Sequence, residues 1–169
     1  VYRALLEDHR PDQIGIYGCS AGGILTAQVI ARLIDKGLPL PGAIGILCAG
    51  FVPPDGDSLY FAPALMGTTV PKEPMRITDF PYFRAEDSKV FPGLDPDIVS
   101  RFPPTLLVSG TRDFLLSSTL RTQTLLTDAG VVNELHVYDG MAHGFFSAPE
   151  PPESQAAYRV IARWFQRQL

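Results

Sequence analysis

Residues 13–34 read QIGIYGCSAGGILTAQVIARLI. The first six, QIGIYG, are a short apolar run with β-branched residues and predict a strand over 13–18. From Ser20 onward the pattern becomes helical. Ile24, Leu25, Val29, Ile30, Leu33 and Ile34 recur at helical spacing, and Gly37 suits the C-terminal stop. Between the two lies Gly18-Cys19-Ser20-Ala21-Gly22, a match to G-x-S-x-G. Five residues alone are a weak signal, but a strand that runs into a helix through them is the setting the motif needs. The serine has to sit on a sharp, strained turn with its hydroxyl above the sheet. Side chains two positions to either side are expected to collide, so Gly18 and Gly22 are read as obligatory. The N–H of Ala21 is then aimed at a developing oxyanion, helped by the positive end of the helix.

Working outward, residues 2–9 look like the end of a helix closed by Pro11. Apolar strands are expected at 43–49, 105–110 and 134–138, and helices at about 117–129 and 153–168. Ser117 or Ser118 is the N-cap candidate of the first of these helices and Gly130 its stop. The second carries one apolar stripe, Ala156, Ala157, Val160, Ile161, Trp164 and Phe165. Alternation of apolar strands with helices predicts an α/β fold with a parallel sheet covered on both faces. Residues 51–103 are the exception. They are rich in Pro, Asp and aromatics and lack a long periodicity, so they are expected to hold a lid or substrate-binding insertion.

A serine hydroxyl needs a base, and the chain has three histidines. His9 is expected on the surface, and His136 lies inside a strand pattern. His143 follows that strand in a loop, where the C-terminal strand ends of α/β folds gather their catalytic groups. The base needs a carboxylate to fix its tautomer. Asp113 follows the strand at 105–110 and is preferred over Asp139, which shares the loop of His143 and is badly aimed. The order Ser20, Asp113, His143 is the order expected of this kind of sheet. Phe114, Leu115, Leu116, Phe145 and Phe146 could line an acyl or alcohol pocket, but core packing is the preferred reading. Tyr60, Phe61, Tyr82 and Phe83 are the candidates for a hydrophobic substrate wall.

The 169 residues are 46% hydrophobic and 19% charged, an ordinary globular composition. The net charge of −4, with no basic stripe, argues against nucleic acid. No apolar run is long enough to span a bilayer. Val1-Tyr2-Arg3 opens directly into a helical pattern, so no signal peptide is expected. The two cysteines, Cys19 and Cys48, are read as buried free thiols, which points to a reducing, cytoplasmic setting. Two cysteines alone cannot build a structural zinc site, and no metal is expected.

Three runs, GCSAGG (18–23), PPTLLVSGTRDFLLSST (103–119) and ELHVYDGMAHGFF (134–146), closely resemble the hormone-sensitive-lipase-like esterases of the α/β-hydrolase superfamily, often called family IV. The resemblance covers about residues 10–169. It implies a serine carboxylesterase acting on short-chain or aryl esters through an acyl-serine intermediate, with no cofactor. Ser20 would be the nucleophile, His143 the base and Asp113 the acid. An amidase or peptidase, or a catalytically silent protein on the same fold, are the alternatives. The family's elbow carries Asp or Thr where this chain has Cys19, whose side chain is expected to point away from substrate. The family's H-G-G-G-type oxyanion loop has no counterpart in this sequence. The expectation is therefore that residues 1–169 are the C-terminal part of such a domain, lacking its N-terminal strands, with a partial cap inside 51–103. A complementing N-terminal portion or a second copy of the chain would then cover the exposed edge. Family members commonly dimerise through the last strand and helix.

Overall fold

The computed structural model describes residues 1–65 and 90–169. Tyr82 and Phe83 lie outside the described residues. Among the described residues, four strands form one sheet in the order β1 (Gly15–Cys19), β2 (Ala43–Leu47), β3 (Thr105–Arg112), β4 (Asn133–Ala142), every neighbouring pair parallel. The helices among the described residues are α1 (Tyr2–Asp8), α2 (Ala21–Asp35), α3 (Asp57–Leu65), the one-turn α4 (Pro96–Val99), α5 (Leu116–Asp128) and α6 (Pro152–Gln168).

Side chains alternate across a strand, so the register decides which helix each residue meets. Ile46 lies beside Leu107, and Leu47 lies beside Val108. The first pair packs with Ile24, Ile30 and Leu33 of α2 and Leu126 of α5. The second pair, on the opposite face, packs with Ala157 and Trp164 of α6. β2 is buried on both sides along its whole length, which is why 43–47 reads as an unbroken apolar run. The expected stripe of α6 supplies the buried Ala157 and Trp164, and Ala156, Val160, Ile161 and Phe165 are half-buried. The expected α/β class, with helices on both faces of a parallel sheet, is the observed one. β1 is an edge strand in this sheet, and Tyr17 on it is 62% exposed.

Several boundaries differ from the sequence reading. β1 starts two residues late, because Pro11–Gln13 form a single 3-10 turn whose Pro fixes φ. The second strand ends at Leu47 because Cys48 turns into the left-handed region at φ 48°. Residues 51–103, read without periodicity, contain α3, a nine-residue helix with Pro63 inside it. Neither Ser117 nor Ser118 caps α5, whose N-cap is Leu115. Instead Ser58 accepts the Ser117 N–H at 2.8 Å through its hydroxyl and donates to the Phe114 carbonyl at 3.0 Å. Ser117 in turn accepts the Ser58 N–H, and Ser118 donates to the Val52 carbonyl. A cap supplied from 59 residues away is invisible to a local motif search. It ties the start of α3 to the segment that follows β3.

The largest difference is at β4, expected to stop at 138 and give way to a flexible loop. It runs to Ala142, with a register shift against β3 between Gly110 and Arg112. Tyr138 pairs with Gly110 and Ala142 with Arg112, so β4 carries two extra residues there. Gly140, at φ +72°, makes the irregularity possible. Thr111 pins it by accepting the Gly140 N–H at 2.7 Å and donating to Asp139 at 3.3 Å. A bulge of this kind re-aims the strand end, here toward β1.

Candidate active site

The turn between β1 and α2 holds Ser20 at φ 57°, ψ −123°, a region that costs a non-glycine residue about 1–3 kcal/mol. The surrounding backbone enforces it. Ser20 donates its N–H to the Leu47 carbonyl at 2.8 Å, and its own carbonyl accepts from Gly23 and Ile24. A Cβ at Gly18 would lie 2.2 Å from the Gly22 carbonyl oxygen, so glycine is required there. The expectation for Gly22 is corrected: a Cβ on it meets no described atom within 4 Å. The second obligatory glycine is Gly23, where a Cβ would lie 2.8 Å from the Ala49 Cβ and 3.1 Å from the Gly18 carbonyl oxygen. Gly23 stands one position past the motif. Its need arises from the approach of α2 to the sheet, which five residues of sequence do not encode. Ala21 opens α2, so its N–H has no acceptor within the helix.

Three side chains from three strand ends meet above the sheet. His143, immediately after β4, has Nε2 2.8 Å from the Ser20 hydroxyl oxygen. Its Nδ1 lies 2.8 Å from the Asp113 carboxylate. Asp113, immediately after β3, is fully buried and accepts two further hydrogen bonds, from the Leu115 N–H at 2.8 Å and the Ser109 hydroxyl at 2.9 Å. Those two bonds fix the carboxylate, so its remaining lone pair faces the imidazole. Asp139, the rival, is exposed and engaged with Thr111. His9 is exposed, and His136 sits on β4 with Nε2 3.4 Å from Glu134.

Burial disfavours both charged forms at this pair, but their mutual interaction outweighs it. Asp113 is held below the ordinary carboxylate value by its hydrogen bonds from His143 and the Leu115 N–H, against desolvation that pushes the other way. Burial lowers His143, yet the hydrogen bond and charge of Asp113 leave it above the ordinary 6.5. With Nδ1–H donating to Asp113, Nε2 is the unprotonated nitrogen of the neutral ring and accepts the Ser20 proton.

Phe114, read from sequence as core, is half-buried with its ring centroid 4.3 Å from that of His143. It forms one wall of the imidazole. Leu115 and Phe146 are buried as expected, and Phe145 packs against Phe146 and Tyr138. On α3, Tyr60 is half-buried and Phe61 is 63% exposed. The thiols are not equally buried. Cys48 is fully enclosed and Cys19 is partly exposed, and neither is in a disulfide. Cys48 packs directly below the cluster, and its sulfur accepts the Gly144 N–H at 3.4 Å.

A family model described as the α/β-hydrolase fold matches residues 1–147. The versiconal hemiacetal acetate esterase of Dothistroma septosporum (strain NZE10 / CBS 128990) is 34% identical over 158 residues, covering 86% of this chain and 48% of that protein. The crystal structure of an esterase superposes with a TM-score of 0.83 at 31% identity, covering 99% of this chain and 53% of the other. A second crystal structure, of an esterase from the bacterial hormone-sensitive lipase family, gives a TM-score of 0.85 at 26% identity, with 99% of this chain and 57% of the other covered. The chain spans about half the length of the relatives it matches. With its parallel sheet, its elbow and this breadth of matching, the chain belongs to the α/β-hydrolase fold family, and it is similar to these esterases.

Proposed function

We propose that the chain carries the catalytic triad of a serine carboxylesterase for short-chain or aryl esters. The observation that carries this reading is the unbroken chain from Ser20 through His143 to Asp113, with both contacts of the imidazole at 2.8 Å. Ser20 attacks the ester carbonyl while His143 Nε2 takes its proton. Asp113 keeps the proton of His143 on Nδ1 and stabilises the imidazolium. The Ala21 N–H, at the positive end of α2, donates to the oxyanion. His143 then returns the proton to the leaving alcohol, and water releases the acid by the reverse route.

The esterase relatives support an ester substrate over an amide. We assign residues 1–169 to the C-terminal part of the hydrolase domain, with 51–103 holding part of its cap. The two free thiols support a cytoplasmic, reducing setting. Among the described residues, no helix is long and apolar enough to cross a membrane.

The test is hydrolysis of p-nitrophenyl acetate and butyrate by the purified chain beside its Ser20→Ala variant, with a fluorophosphonate probe to report serine reactivity. Turnover and labelling that vanish in the variant support the proposal. Undiminished hydrolysis by Ser20→Ala overturns it. Serine labelling without turnover supports the reading that this triad needs further oxyanion donors, since one missing donor costs about 100- to 1,000-fold.

A further inference from the structure

Directly beneath the triad lies a pair of thiols that the esterase reaction does not use. Cys19 ends β1 and precedes Ser20, and Cys48 follows the neighbouring β2. Cys19 pairs in register with Leu47, one residue before Cys48, and the two side chains share one apolar cluster on the α6 face. The Cys48 sulfur also lies within 4.8 Å of the ligand atoms of both Asp113 and His143. Ser20 and Cys48 are the two non-glycine residues at positive φ among those described, and both flank this junction.

We propose that Cys19 and Cys48 are an oxidative modification site, at which a peroxide forms a disulfide that disengages His143 and Asp113 from Ser20. The proposal rests on the reading of Ser20 as the nucleophile. The two thiols differ in exposure and in acidity, so the peroxide meets Cys19 first, and Cys48 gives up its proton as it attacks. Cys19 is partly exposed, and the Cys48 thiol beside it draws it down from the ordinary thiol value, favouring its thiolate. Cys48 is buried and stays protonated, held up by its bond to Cys19, by desolvation and by the charge of Asp113.

The Cys19 thiolate attacks one oxygen of hydrogen peroxide. The O–O bond breaks, the hydroxide that leaves is protonated to water, and Cys19 becomes a sulfenic acid. The Cys48 sulfur then attacks the Cys19 sulfur. The S–O bond breaks, and the departing hydroxide takes the Cys48 proton as a second water. Two electrons pass from the sulfurs to the peroxide, and a dithiol reductant reverses the change.

A disulfide fixes its sulfurs about 2.05 Å apart. Drawing the Cys48 sulfur toward Cys19 removes the acceptor of the Gly144 N–H, next to His143, and the thiol beside Asp113. Misplacement of about 1 Å in such a site costs about 100-fold, so Ser20 reactivity is expected to fall by about tenfold or more.

The experiment treats the reduced chain with hydrogen peroxide and follows three readouts. They are the intact mass, the low-field imidazole Nδ1–H proton resonance of His143, and the rate of fluorophosphonate labelling of Ser20. The expected result is loss of two hydrogens, loss or displacement of the resonance, and slowed labelling, all reversed by dithiothreitol. Cys19→Ser and Cys48→Ala, each compared with its own untreated form, form no cross-link. Addition of oxygen to Cys19 without a cross-link overturns the proposal. So does a cross-link that leaves the imidazole resonance unmoved. Absence of labelling in the reduced chain refutes the esterase reading instead, and mass and resonance still decide the fate of the thiol pair.

Discussion

Replacing Gly22 and Gly23 separately with alanine sets the serine motif against the packing of the elbow. The motif names Gly22, whereas the close approach of α2 to the sheet names Gly23. At Gly23 the added Cβ meets the Ala49 Cβ at 2.8 Å, the Gly18 carbonyl oxygen at 3.1 Å and the Leu47 carbonyl oxygen at 3.3 Å. Carbon atoms in contact sit about 3.5–4.0 Å apart. Two of the three neighbours are backbone, and Ala49 is fully buried, so none of them can swing aside. The helix has to lift from the sheet, at about 1–3 kcal/mol. At Gly22, in the first turn of α2, no described atom stands within 4 Å of the Cβ, and alanine gains about 0.5–1 kcal/mol of helix propensity. The two variants are therefore expected to differ by about 1.5–4 kcal/mol. Urea unfolding resolves this, since slopes of about 1–3 kcal/mol per molar separate the midpoints by about 1 M. Gly22→Ala matching or exceeding the loss of Gly23→Ala would refute the argument.

Four further expectations follow from the same geometry. Esterase activity should rise with pH along a limb whose midpoint lies above 6.5, because only neutral His143 accepts a proton and Asp113 holds its imidazolium; a midpoint below 6.5 in a pH-rate profile contradicts the pairing. The Asp113–His143 pair should stabilise the fold most between about 3.8 and 6.5, since the contribution of the lowered Asp113 fades as pH falls through its folded value and that of the raised His143 fades as pH rises through its own. Asp113→Asn should flatten that maximum in urea midpoints taken against pH. Phe114→Ala should slow Ser20 labelling several-fold through a less ordered imidazole, consistent with about 0.5–1.5 kcal/mol for a ring contact, and an unchanged rate would return Phe114 to a packing role. Ser58→Ala should cost about 0.5–2 kcal/mol by uncapping α5, with midpoints within error of wild type counting against the remote cap.

The parts of the molecule legible in sequence are those whose cause is local. The apolar run at 43–47 reads as a strand because β2 is enclosed on both faces, and the stripe of α6 reads as a helix because Ala157 and Trp164 recur on one buried side. Ser20, Asp113 and His143 were legible as candidates because each follows a strand pattern, a property of short segments. What was not legible arises between segments. The cap of α5 is contributed by Ser58, and Gly23 answers to Ala49 across a helix–sheet contact. The loop expected before His143 is instead a strand, because its hydrogen bonds go to Thr111 on β3. Phe114 reads as core from its apolar neighbours, and its contact with His143 exists once β3 and β4 are side by side.

Those between-segment contacts converge on Asp113. Thr111, two residues before it, pins the bulge of β4 that delivers His143. Ser58 holds the carbonyl of Phe114 directly after it, and the Leu115 N–H and Ser109 hydroxyl hold its carboxylate. A catalytic carboxylate loses its value if it can rotate toward solvent, because it then neither fixes the tautomer of the histidine nor stabilises its charge. In this chain rotation is opposed by bonds from Ser109 on the strand before it and Leu115 at the cap of the helix after it, and Ser58 braces the adjoining Phe114 carbonyl. A substitution at Ser58 or Thr111 touches none of the reacting atoms, yet it should lower activity by loosening the aim of Asp113 and His143. Such a variant is expected to keep the acid limb above 6.5 while losing rate, whereas Asp113→Asn loses both.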